Sequence, residues 1–503
     1  MRLTPSLTRA SSTASVVLLA TTPACRLSCA DGTLLDRLGD QLAALSVRDV
    51  QVLTPGGALL AHGEQPEPEH AVHAGGLGAD LRAVAKLARG STGPLVVLPA
   101  DLVAHNDALG LLLQHPARGS AALVSSDADV GPLRPPVRVE GGRVVAAASS
   151  FHTVPQANAT FRGVLQAAEA DLASLADVAE ELADLAESGR LGPVSAVEAV
   201  DLLLVGLVRA GARVRAARLG PLHADRVTGQ AGADSAISRL AEVDEDQVRL
   251  DNAVKDRDGF FTTYFVSSWS RHLVRPATRL RLTPNTVTGC SVGLAVLAAV
   301  WFSAGTRGAM VLGAVLVYLS FVLDCLDGQL ARYTRMFTPL GAWADGMADR
   351  LKEYVVYAGL ALGYAGGLPW QHGGPDGIWY LAIAAMILQV VRHAIDFAYG
   401  GSVADAAKVG ALWAKPVRSL LEETDGRAGA PAQGVLGLSH RLERDSLIHW
   451  AKKMIVLPIG ERMALIAVTA ALFNARVTFA ALITWGAVAA LYQLTGRIAR
   501  STR

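Results

Sequence analysis

The second half of the sequence contains apolar segments that approach or reach the length of a membrane-spanning helix. They lie at about 286–304, 309–323, 351–368, 378–399, 461–474 and 477–495. A helix needs about 20 predominantly apolar residues to cross the hydrocarbon core of a bilayer, and the second and fifth segments are shorter than that. The sequence therefore predicts an all-α domain of six transmembrane helices over residues 284–503. The ends of the second and fifth helices are less well defined.

The first half has the pattern of a soluble α/β domain. Strands are predicted at 15–20, 49–54, 94–100 and 120–126, and helices at 33–46, 78–89, 105–115, 169–189 and 195–211. Strands that are apolar throughout and separated by helices are typical of a parallel sheet covered on both faces. The run at 15–20 is too short for a secretory signal. We therefore predict an α/β domain with a mostly parallel sheet over residues 1–245.

Basic residues are concentrated in alternate connections between the apolar segments. They are Arg271, Arg275, Arg279 and Arg281 before the first segment, Arg332, Arg335, Arg350 and Lys352 between the second and third, and Lys408, Lys415, Arg418, Arg427, Arg441, Arg444, Lys452 and Lys453 between the fourth and fifth. The C-terminus, GRIARSTR, is also basic, whereas the other connections carry only Arg307 and Arg476. Basic loops stay cytoplasmic. We expect a multi-pass protein of the inner (plasma) membrane, with both termini and the α/β domain in the cytoplasm.

Charge and cysteine content exclude some other classes. A net charge of +1 gives no overall electrostatic footprint for nucleic acid. The cysteines, Cys25, Cys29, Cys290 and Cys325, form neither a disulfide framework nor a paired zinc pattern. A reducing compartment is the simplest interpretation.

Residues 246–283 are predicted to link the two halves. The stretch WSRHLVRPATRLRLT at 269–283 is basic with interleaved apolar side chains. It suits an interfacial amphipathic segment, and a solvated basic linker is the alternative. In the following TPN, Asn285 is a suitable N-cap for the first membrane helix.

Four aspartates lie within 26 positions of one another in LDCLDGQLARYTRMFTPLGAWADGMADRLK, residues 323–352. Asp324 and Asp327 share one helical face, and Asp345 and Asp349 share another on a helix that Thr338 and Pro339 would begin. A short turn makes these helices antiparallel neighbours, so the four carboxylates can converge at the cytoplasmic membrane boundary. Carboxylates are rare at a membrane unless they are functional.

The residue types in this stretch suit a metal-bound pyrophosphate. Oxygen donors favour hard divalent cations such as Mg²⁺, the small residues between them leave room for a ligand, and Arg332 suits a phosphate. The alternative is that the aspartates are solvated loop acids paired with Arg332, Arg335 and Arg350.

The spacing D-x2-D-G-x2-A-R-x8-G-x3-D-x3-D resembles the signature of the CDP-alcohol phosphotransferase (CDP-alcohol phosphatidyltransferase) family, over roughly residues 255–503. The residues that fill it are Asp324, Asp327, Gly328, Ala331, Arg332, Gly341, Asp345 and Asp349. The resemblance implies a metal site of all four aspartates, holding two Mg²⁺ or Mn²⁺ ions. It also implies that Asp349 acts as general base on the acceptor hydroxyl. Asp324, Gly328, Ala331, Arg332 and Gly341 would bind CDP, and the alcohol would attack the β-phosphorus and release CMP.

Two further stretches are similar to enzymes that make inositol-phosphate phosphodiesters. They are residues 255–288 and WAKKMIVLPIGERMALI at 450–466. The similarity implies that Lys452, Lys453 and Arg462 hold a phosphate on the acceptor, with positive-inside anchoring as the alternative for this charge. Arg392 either faces the acceptor pocket or pairs with Asp396 at i+4.

The first half is similar to a sugar-phosphate nucleotidyltransferase whose phosphate loop is damaged. The loop region reads LLATTPACRL, where Thr22 and Ala24 stand at expected glycines and only Arg26 and Leu27 match. No lysine follows in SCADGTLLDRL. Asp101 follows a strand and matches the family's metal aspartate. A Cβ at each glycine position obstructs the nucleotide, so we expect an inactive domain that binds a ligand, regulates, or holds a dimer together.

The leading hypothesis is therefore a membrane transferase that moves a phosphoalcohol from a CDP-alcohol to an alcohol or phosphoalcohol acceptor, acting as a homodimer in the lipid bilayer. An inositol-phosphate phosphodiester synthase competes with a CDP-diacylglycerol-dependent phospholipid synthase, because the signature contacts only the CDP end. A transporter would spread its acids through the bilayer. A non-catalytic membrane anchor would not need the intact signature.

Overall fold

The structure, a computed structural model, describes most of the chain in two compact units that are divided in sequence between Arg249 and Leu250. The described residues are 14–30, 32–45, 47–55, 57–61, 76–127, 129–255, 258–366, 377–412, 450 and 453–501.

The N-terminal unit is built on a mixed β-sheet. Its strands, and those of two small ribbons, are β1 (Ser15–Leu19), β2 (Ser28–Cys29), β3 (Gly32–Thr33), β4 (Asp49–Thr54), β5 (Ala58–Ala61), β6 (Leu95–Pro99), β7 (Leu102–Ala104), β8 (Ala121–Ser125), β9 (Pro136–Glu140), β10 (Arg143–Ala147), β11 (Ala159–Ala167), β12 (Arg215–Arg218) and β13 (Ala224–Arg226). The main sheet has the order β5-β4-β1-β6-β11-β8-β12-β10-β9, while β7 pairs with β13 and β2 with β3.

The sheet is mixed rather than mostly parallel as predicted. β1 runs parallel to β4 and β6, and β12 runs parallel to β8. In contrast, β11 is antiparallel to β6 and β8, and β10 is antiparallel to β9 and β12. β9 and β10 are joined by Gly141 and Gly142, both at positive φ, and a two-residue hairpin of this kind imposes antiparallel pairing.

Helices cover both faces of the sheet. They are α1 (Leu34–Ala44), α2 (Leu77–Gly90), α3 (Asn106–Leu113), α4 (Leu172–Glu187), α5 (Ala199–Arg209), α6 (Gln230–Ala241) and α7 (Glu245–Ala253). In β1, Val17 and Leu19 pack into a core with α2, α4 and α5. Val16 and Leu18 pack into a second core with α1 and α3. Alternate residues thus face opposite sides, which confirms the α/β class and explains why this strand is apolar throughout.

The C-terminal unit is all-α. Its helices are α8 (Ser268–Arg279), α9 (Pro284–Ser303), α10 (Arg307–Thr334), α11 (Pro339–Ala365), α12 (Ile378–Leu412), α13 (Ile459–Leu472) and α14 (Ala475–Ser501), and a π-helical turn at Thr262–Ser267 precedes α8. The helices α9 to α14 lie where the six apolar segments predicted helices. Within the unit, α10 packs on α9 and α13, and α11 packs on α9.

Four of the six segments are helices long and apolar enough to cross a membrane. Among the described residues these spans are Pro284–Ser303, Arg307–Thr334, Ile378–Ser402 and Ala475–Ile498. Only 28–50% of each apolar window is buried, so apolar faces remain available to lipid. The other two helices, α11 and α13, do not meet these criteria. The first half of α11 carries the charged site residues, and the 14 residues of α13 extend about 21 Å at 1.5 Å per residue.

Threonine–proline pairs begin α9 and α11. Thr338 caps α11 by accepting a hydrogen bond from the backbone N–H of Gly341 at 2.9 Å, with Pro339 as the first helical residue. This confirms the predicted start of α11. For α9 the cap is Thr283, which accepts from the N–H of Thr286 at 3.2 Å. The prediction of Asn285 as N-cap was therefore wrong, because Pro284 already occupies the first helical position and Asn285 lies inside the helix.

Candidate active site

Three of the four aspartates come together between α10 and α11. Carboxylate oxygens of Asp324, Asp345 and Asp349 lie within 4.8 Å of one another. Asp324 is on α10, whereas Asp345 and Asp349 are one turn apart on α11. The helical spacing and the short connection that begins α11 at Thr338 bring these faces together. The sequence predicted that all four carboxylates would converge, and this group contains three of them.

Asp327 lies one turn beyond Asp324 but outside this group of three. Its side chain is buried, and its Oδ2 accepts a hydrogen bond from the Thr288 hydroxyl of α9. The Thr288 hydroxyl also donates toward the carbonyl of Pro284 at 3.1 Å. Asp327 is therefore oriented by the first turn of α9, at the edge of the cluster.

The remaining signature residues surround the cluster. A Cβ added at Gly328 would lie 3.3 Å from Nη1 of Arg332, and one at Gly341 would lie 3.0 Å from Oδ1 of Asn285. Both glycines therefore allow a polar side chain to approach a helix backbone closely. Arg332 donates from Nε to the carbonyl of Ala253, just before the π-helical turn. Ala331 is half-buried on the same helix, where its carbonyl accepts from the N–H of Met336 at 3.1 Å.

Lys352 is a site residue that sequence reasoning assigned to a basic loop. It lies on α11, one turn after Asp349, with only 3% of its side chain exposed. Its Nζ contacts Oδ1 of Asp324 and lies 3.2 Å from Oδ1 of Asp349 and 3.3 Å from the hydroxyl of Ser291 on α9. The i, i+3 spacing from Asp349 could have placed it on the acidic face.

The cluster fits a divalent metal ion. Its donors are carboxylate oxygens, the ligands that Mg²⁺ and Mn²⁺ prefer. Oδ1 of Asp349 is buried and accepts no hydrogen bond among the described residues, although the Lys352 ammonium lies within ion-pair distance. Such an oxygen could ligate a cation in place of the ammonium. Asp324, Asp345 and Asp349 would hold the ion, with Asp327 beside them.

Two of the four predicted acceptor residues lie together. Arg392 on α12 donates from Nη2 to the carbonyls of Val456 and Leu457 at 2.6 and 3.2 Å. Arg462 on α13 donates from Nη1 to the carbonyl of Leu457 at 3.0 Å. Both arginines are buried, and they meet at a residue whose φ of 48° is left-handed.

Their charge partners differ. Arg462 pairs with Glu353 through Nε at 3.0 Å, and the Tyr357 hydroxyl donates to the same carboxylate at 2.6 Å. Arg392 donates from Nη1 to Gln389 at 3.1 Å. Asp396, the alternative partner predicted for Arg392, pairs with Arg497 at 3.1 Å. An Arg392–Asp396 pair is therefore not seen among the described residues.

Of the two lysines in the acceptor prediction, the structure describes Lys453, which makes other contacts. Lys453 donates from Nζ to the carbonyl of Asp258 at 2.9 Å and lies over the ring of Trp450, 4.6 Å from its centroid. Lys452 lies outside the described residues.

In the N-terminal unit, the candidate metal aspartate is occupied by an internal arginine. Asp101 accepts from Nε and Nη2 of Arg226 at 2.9 and 3.0 Å, and both side chains are buried. The hydroxyl of Thr22 donates to the same carboxylate at 3.3 Å. This geometry leaves Asp101 paired with a guanidinium instead of exposed to a ligand.

A second aspartate, which sequence reasoning did not locate, lies on the neighbouring ribbon strand. Asp225 on β13 pairs opposite Val103 of β7. The strand β7 begins at Leu102, the residue after Asp101. Asp225 contacts guanidinium nitrogens of Arg162 at 2.8 Å, Arg134 at 2.9 Å and Arg239 at 3.2 Å. Both carboxylates of this pair are thus neutralised by arginine.

A cleft of about 710 Å³ adjoins these ion pairs, with Arg134, Glu198, Asp201 and Arg226 in its lining. Asp201 is buried on α5, with Oδ2 3.7 Å from Nη1 of Arg226. Its Oδ1 accepts no hydrogen bond among the described residues. Burial raises the pKa of Asp201 to about 7, and the positive charge of Arg226 partly offsets this rise.

Comparison with known proteins agrees with the motif in the membrane domain. Residues 281–421 match the family model for CDP-alcohol phosphatidyltransferase. The bifunctional IPC transferase and DIPP synthase of Rubrobacter xylanophilus is 32% identical over 169 residues, which are 32% of this chain and 36% of that protein. The phosphatidylinositol phosphate synthase of Mycolicibacterium smegmatis is 34% identical over 128 residues, which are 25% of this chain and 53% of that protein.

Among solved structures, the inositol-1-phosphate CTP transferase from T. maritima is 16% identical, with a TM-score of 0.32. The match covers 46% of this chain and 97% of that chain. The resemblance stated from the aspartate motif is confirmed, because residues 281–421 match the model of that family. The matched regions span about a third to a half of the two curated relatives.

Proposed function

We propose that this protein is an integral membrane transferase that moves a phosphoalcohol from a CDP-alcohol to an acceptor hydroxyl and releases CMP. The observation that carries the proposal is the convergence of Asp324, Asp345 and Asp349 within 4.8 Å, in a segment that matches the family model. A transporter is disfavoured because these acids gather at one place instead of along a path. A purely structural anchor has no need for a buried carboxylate oxygen without a hydrogen bond.

Each site residue has a role in this chemistry. Asp324, Asp327 and Asp345, with Asp349, would hold Mg²⁺ or Mn²⁺, two ions in our proposal, and such ions stabilise charge that develops on phosphate oxygens. Asp349 would take the proton from the acceptor hydroxyl as it attacks the β-phosphorus. Gly328, Ala331, Arg332 and Gly341 would contact the CDP moiety, whose CMP portion leaves.

The donor and acceptor are proposed to be inositol-related. The Mycolicibacterium smegmatis relative is named a phosphatidylinositol phosphate synthase, and residues 255–288 and 450–466 are similar to enzymes that make inositol-phosphate phosphodiesters. Arg392 and Arg462 converge on one carbonyl, and their guanidinium groups could bind a phosphate on the acceptor if they release it. Lys452 and Lys453 complete the proposed set. A CDP-diacylglycerol donor, which would make this a phospholipid synthase, is the alternative.

The N-terminal domain is proposed to be catalytically inactive. A nucleotidyltransferase needs free carboxylates for a metal, but the Arg226 guanidinium holds Asp101 in a buried bidentate pair. Buried ion pairs of this kind are costly to break. The domain, over residues 1–245 in our assignment, is left to bind a ligand, regulate, or hold a dimer together.

The location and assembly are proposed from charge and family. Residues 246–283 form the juxtamembrane link and residues 284–503 the six-helix membrane domain. Four of those helices have the length and apolarity of membrane spans, and the positive-inside rule directs both termini to the cytoplasm of an inner (plasma) membrane. A homodimer in the lipid bilayer is proposed from the resemblance.

The experiment is CMP release by the full-length protein in detergent, with inositol phosphate as acceptor. Donors would be CDP-inositol and CDP-diacylglycerol, each with Mg²⁺ and with excess chelator. We expect release with one donor that stops in chelator and returns with Mg²⁺. Full activity in chelator, after metal analysis shows none bound, would refute the metal-dependent mechanism.

A further inference from the structure

Lys352 places a positive charge inside the acidic cluster, although the family spacing includes no cation there. Its Nζ contacts Asp324 and lies 3.2 Å from Oδ1 of Asp349. The side chain is 3% exposed, so solvent cannot supply much of the screening. Arg350 does not supply positive charge to the cluster, because its guanidinium donates to the carbonyl of Gly346 and lies over the ring of Phe397.

An ammonium in this position offsets part of the repulsion among the carboxylates. Uncompensated charge that is buried is strongly destabilising, and three carboxylates with oxygens within 4.8 Å repel one another. One lysine reaching Asp324 on α10 and Asp349 on α11 also joins the two helices. The cluster can therefore keep its geometry without a metal ion.

The same contact conflicts with metal binding. A divalent ion ligates a carboxylate oxygen at about 2.0–2.1 Å, so an ion on Oδ1 of Asp324 would lie close to the ammonium now in contact with that oxygen. Two cations at such a distance repel strongly in a site of low dielectric. Lys352 and a metal ion on Asp324 are mutually exclusive occupants.

The structure already provides a second partner for the ammonium. Nζ donates to the Ser291 hydroxyl at 3.3 Å, and that hydroxyl donates its own proton to the carbonyl of Ser320 at 2.8 Å. Ser291 can therefore hold the ammonium when it leaves Asp324. The flexible four-carbon stem of lysine would let Nζ leave the carboxylates while it keeps its hydrogen bond to Ser291.

We propose that Lys352 is an internal placeholder for the metal, whose ammonium holds Asp324 and Asp349 together in the metal-free protein and shifts toward Ser291 when a divalent cation binds. This inference rests on the proposed function, because it requires that the aspartate cluster binds a divalent cation. Lys352 is thus a positioning residue that competes with the metal for Asp324.

The test measures metal binding and stability rather than turnover. Lys352→Met, Lys352→Arg and the control Arg497→Met, which alters a cation that pairs with Asp396 instead of the cluster, would be made in the full chain and purified in Mn²⁺. Mn²⁺ affinity would be measured by electron paramagnetic resonance after the ion is removed. Thermal unfolding would be followed in detergent, in chelator and in saturating Mn²⁺.

Lys352→Met should bind Mn²⁺ about tenfold or more tightly, because one competing positive charge has been removed. It should unfold at a lower temperature than wild type in chelator, and most of that difference should vanish in saturating Mn²⁺. Lys352→Arg and Arg497→Met should both stay within about threefold of the wild-type affinity, because each keeps the positive charge in the cluster.

Two results would overturn the inference. One is an equal loss of stability in Lys352→Met with and without Mn²⁺ at unchanged affinity, which would make Lys352 an ordinary structural ion pair. The other is weaker Mn²⁺ binding in that variant. If Lys352→Met cannot be purified, Ser291→Ala serves instead: it removes the retreat position and should weaken Mn²⁺ binding, and unchanged binding would refute the shift.

The outcomes also separate this inference from the proposed function. Wild-type protein that neither binds Mn²⁺ nor releases CMP would refute both. Wild-type protein that does both, while Lys352→Met behaves identically in Mn²⁺ binding, would refute only the placeholder.

Discussion

Asp349 is the residue on which the proposed chemistry depends most. Its Oδ1 is buried, lies in the acidic cluster, and accepts no hydrogen bond among the described residues. A carboxylate that serves as a base needs a free lone pair directed at its substrate. Helical spacing predicted that Asp345 and Asp349 would share a face with Asp324 opposite, because periodicity fixes directions along a helix. The same periodicity could have placed Lys352 on the face of Asp349, but it could not predict the contacts of Lys352 with Asp324 on α10 and Ser291 on α9.

Asp349→Asn should reduce CMP release by about 10²–10⁴-fold, the usual contribution of a general base. Binding of the CDP-alcohol, measured by calorimetry, should largely survive because the other carboxylates remain. Asp396→Asn is the matched control, since Asp396 pairs with Arg497 away from the cluster. Wild-type turnover by Asp349→Asn would show that Asp349 is not the general base.

At the scale of the elements, α9 and α11 pack closely enough that glycine is required between them. A Cβ at Gly359 of α11 would lie 2.4 Å from the carbonyl oxygen of Ala299, and one at Gly363 would lie 2.0 Å from that of Phe302. This contact holds α11, and with it Asp345 and Asp349, against α9. The sequence predicted both helices but not this contact, because an apolar segment shows which residues avoid water and not which neighbour they meet.

Gly359→Ala should lower the stability of the membrane domain by about 1–3 kcal/mol, the usual cost of overpacking. Gly293→Ala in α9 is the control, since a Cβ there meets nothing within 4 Å, and alanine favours a helix over glycine. In thermal unfolding in detergent, Gly359→Ala should therefore have a lower melting temperature than Gly293→Ala. Equal melting temperatures would show that α9 and α11 are not in this contact.

At the scale of the whole molecule, an α/β domain and a membrane domain are joined in one chain. The strands predicted at 15–20 and 49–54 match β1 and β4, because continuous apolar runs are a strong signal. The nine-residue strand β11, which is buried throughout, was missed because Arg162, Gly163 and Gln166 interrupt its apolar pattern. Its burial depends on partners distant in sequence, including the pairing of Arg162 with Asp225.

The N-terminal domain should lose stability as the pH rises from about 4 to 7. The folded-state pKa of Asp201, about 7 because of burial, lies above that of an exposed aspartate, about 3.9. The folded state therefore binds more protons in this window, and each pH unit costs about 1.4 kcal/mol at most. Above pH 7 both states are ionised and the effect levels off.

Asp201→Asn removes this titration. Pulse proteolysis in urea at several pH values would measure the free energy of unfolding. The stability of the variant relative to wild type should increase between pH 4 and 7 and stay constant above pH 7. Thr228→Val, which alters another residue of the same cleft, should keep the wild-type pH dependence. An unchanged pH dependence in Asp201→Asn would mean that Asp201 is ionised normally in the fold.

Asp101 and Asp225 in the N-terminal domain are both paired with arginines. The full chain should therefore not make a CDP-alcohol itself. Given CTP, Mg²⁺ and a panel of phosphorylated polyols, it should release no pyrophosphate above background. Release that disappears in Asp101→Ala would show that the N-terminal domain is active and the protein bifunctional.

The most direct test of the central claim is mass spectrometry of the products that the purified full-length protein forms from a CDP-alcohol and inositol phosphate. With Mg²⁺ and the correct donor, we predict CMP together with a phosphodiester whose mass is that of the donor's phosphoalcohol joined to the acceptor, and neither product from Asp324→Ala. CDP-inositol as the productive donor would support the phosphodiester synthase, and CDP-diacylglycerol the phospholipid synthase. No CMP from either donor, in protein shown to be folded and metal-loaded, would contradict the account.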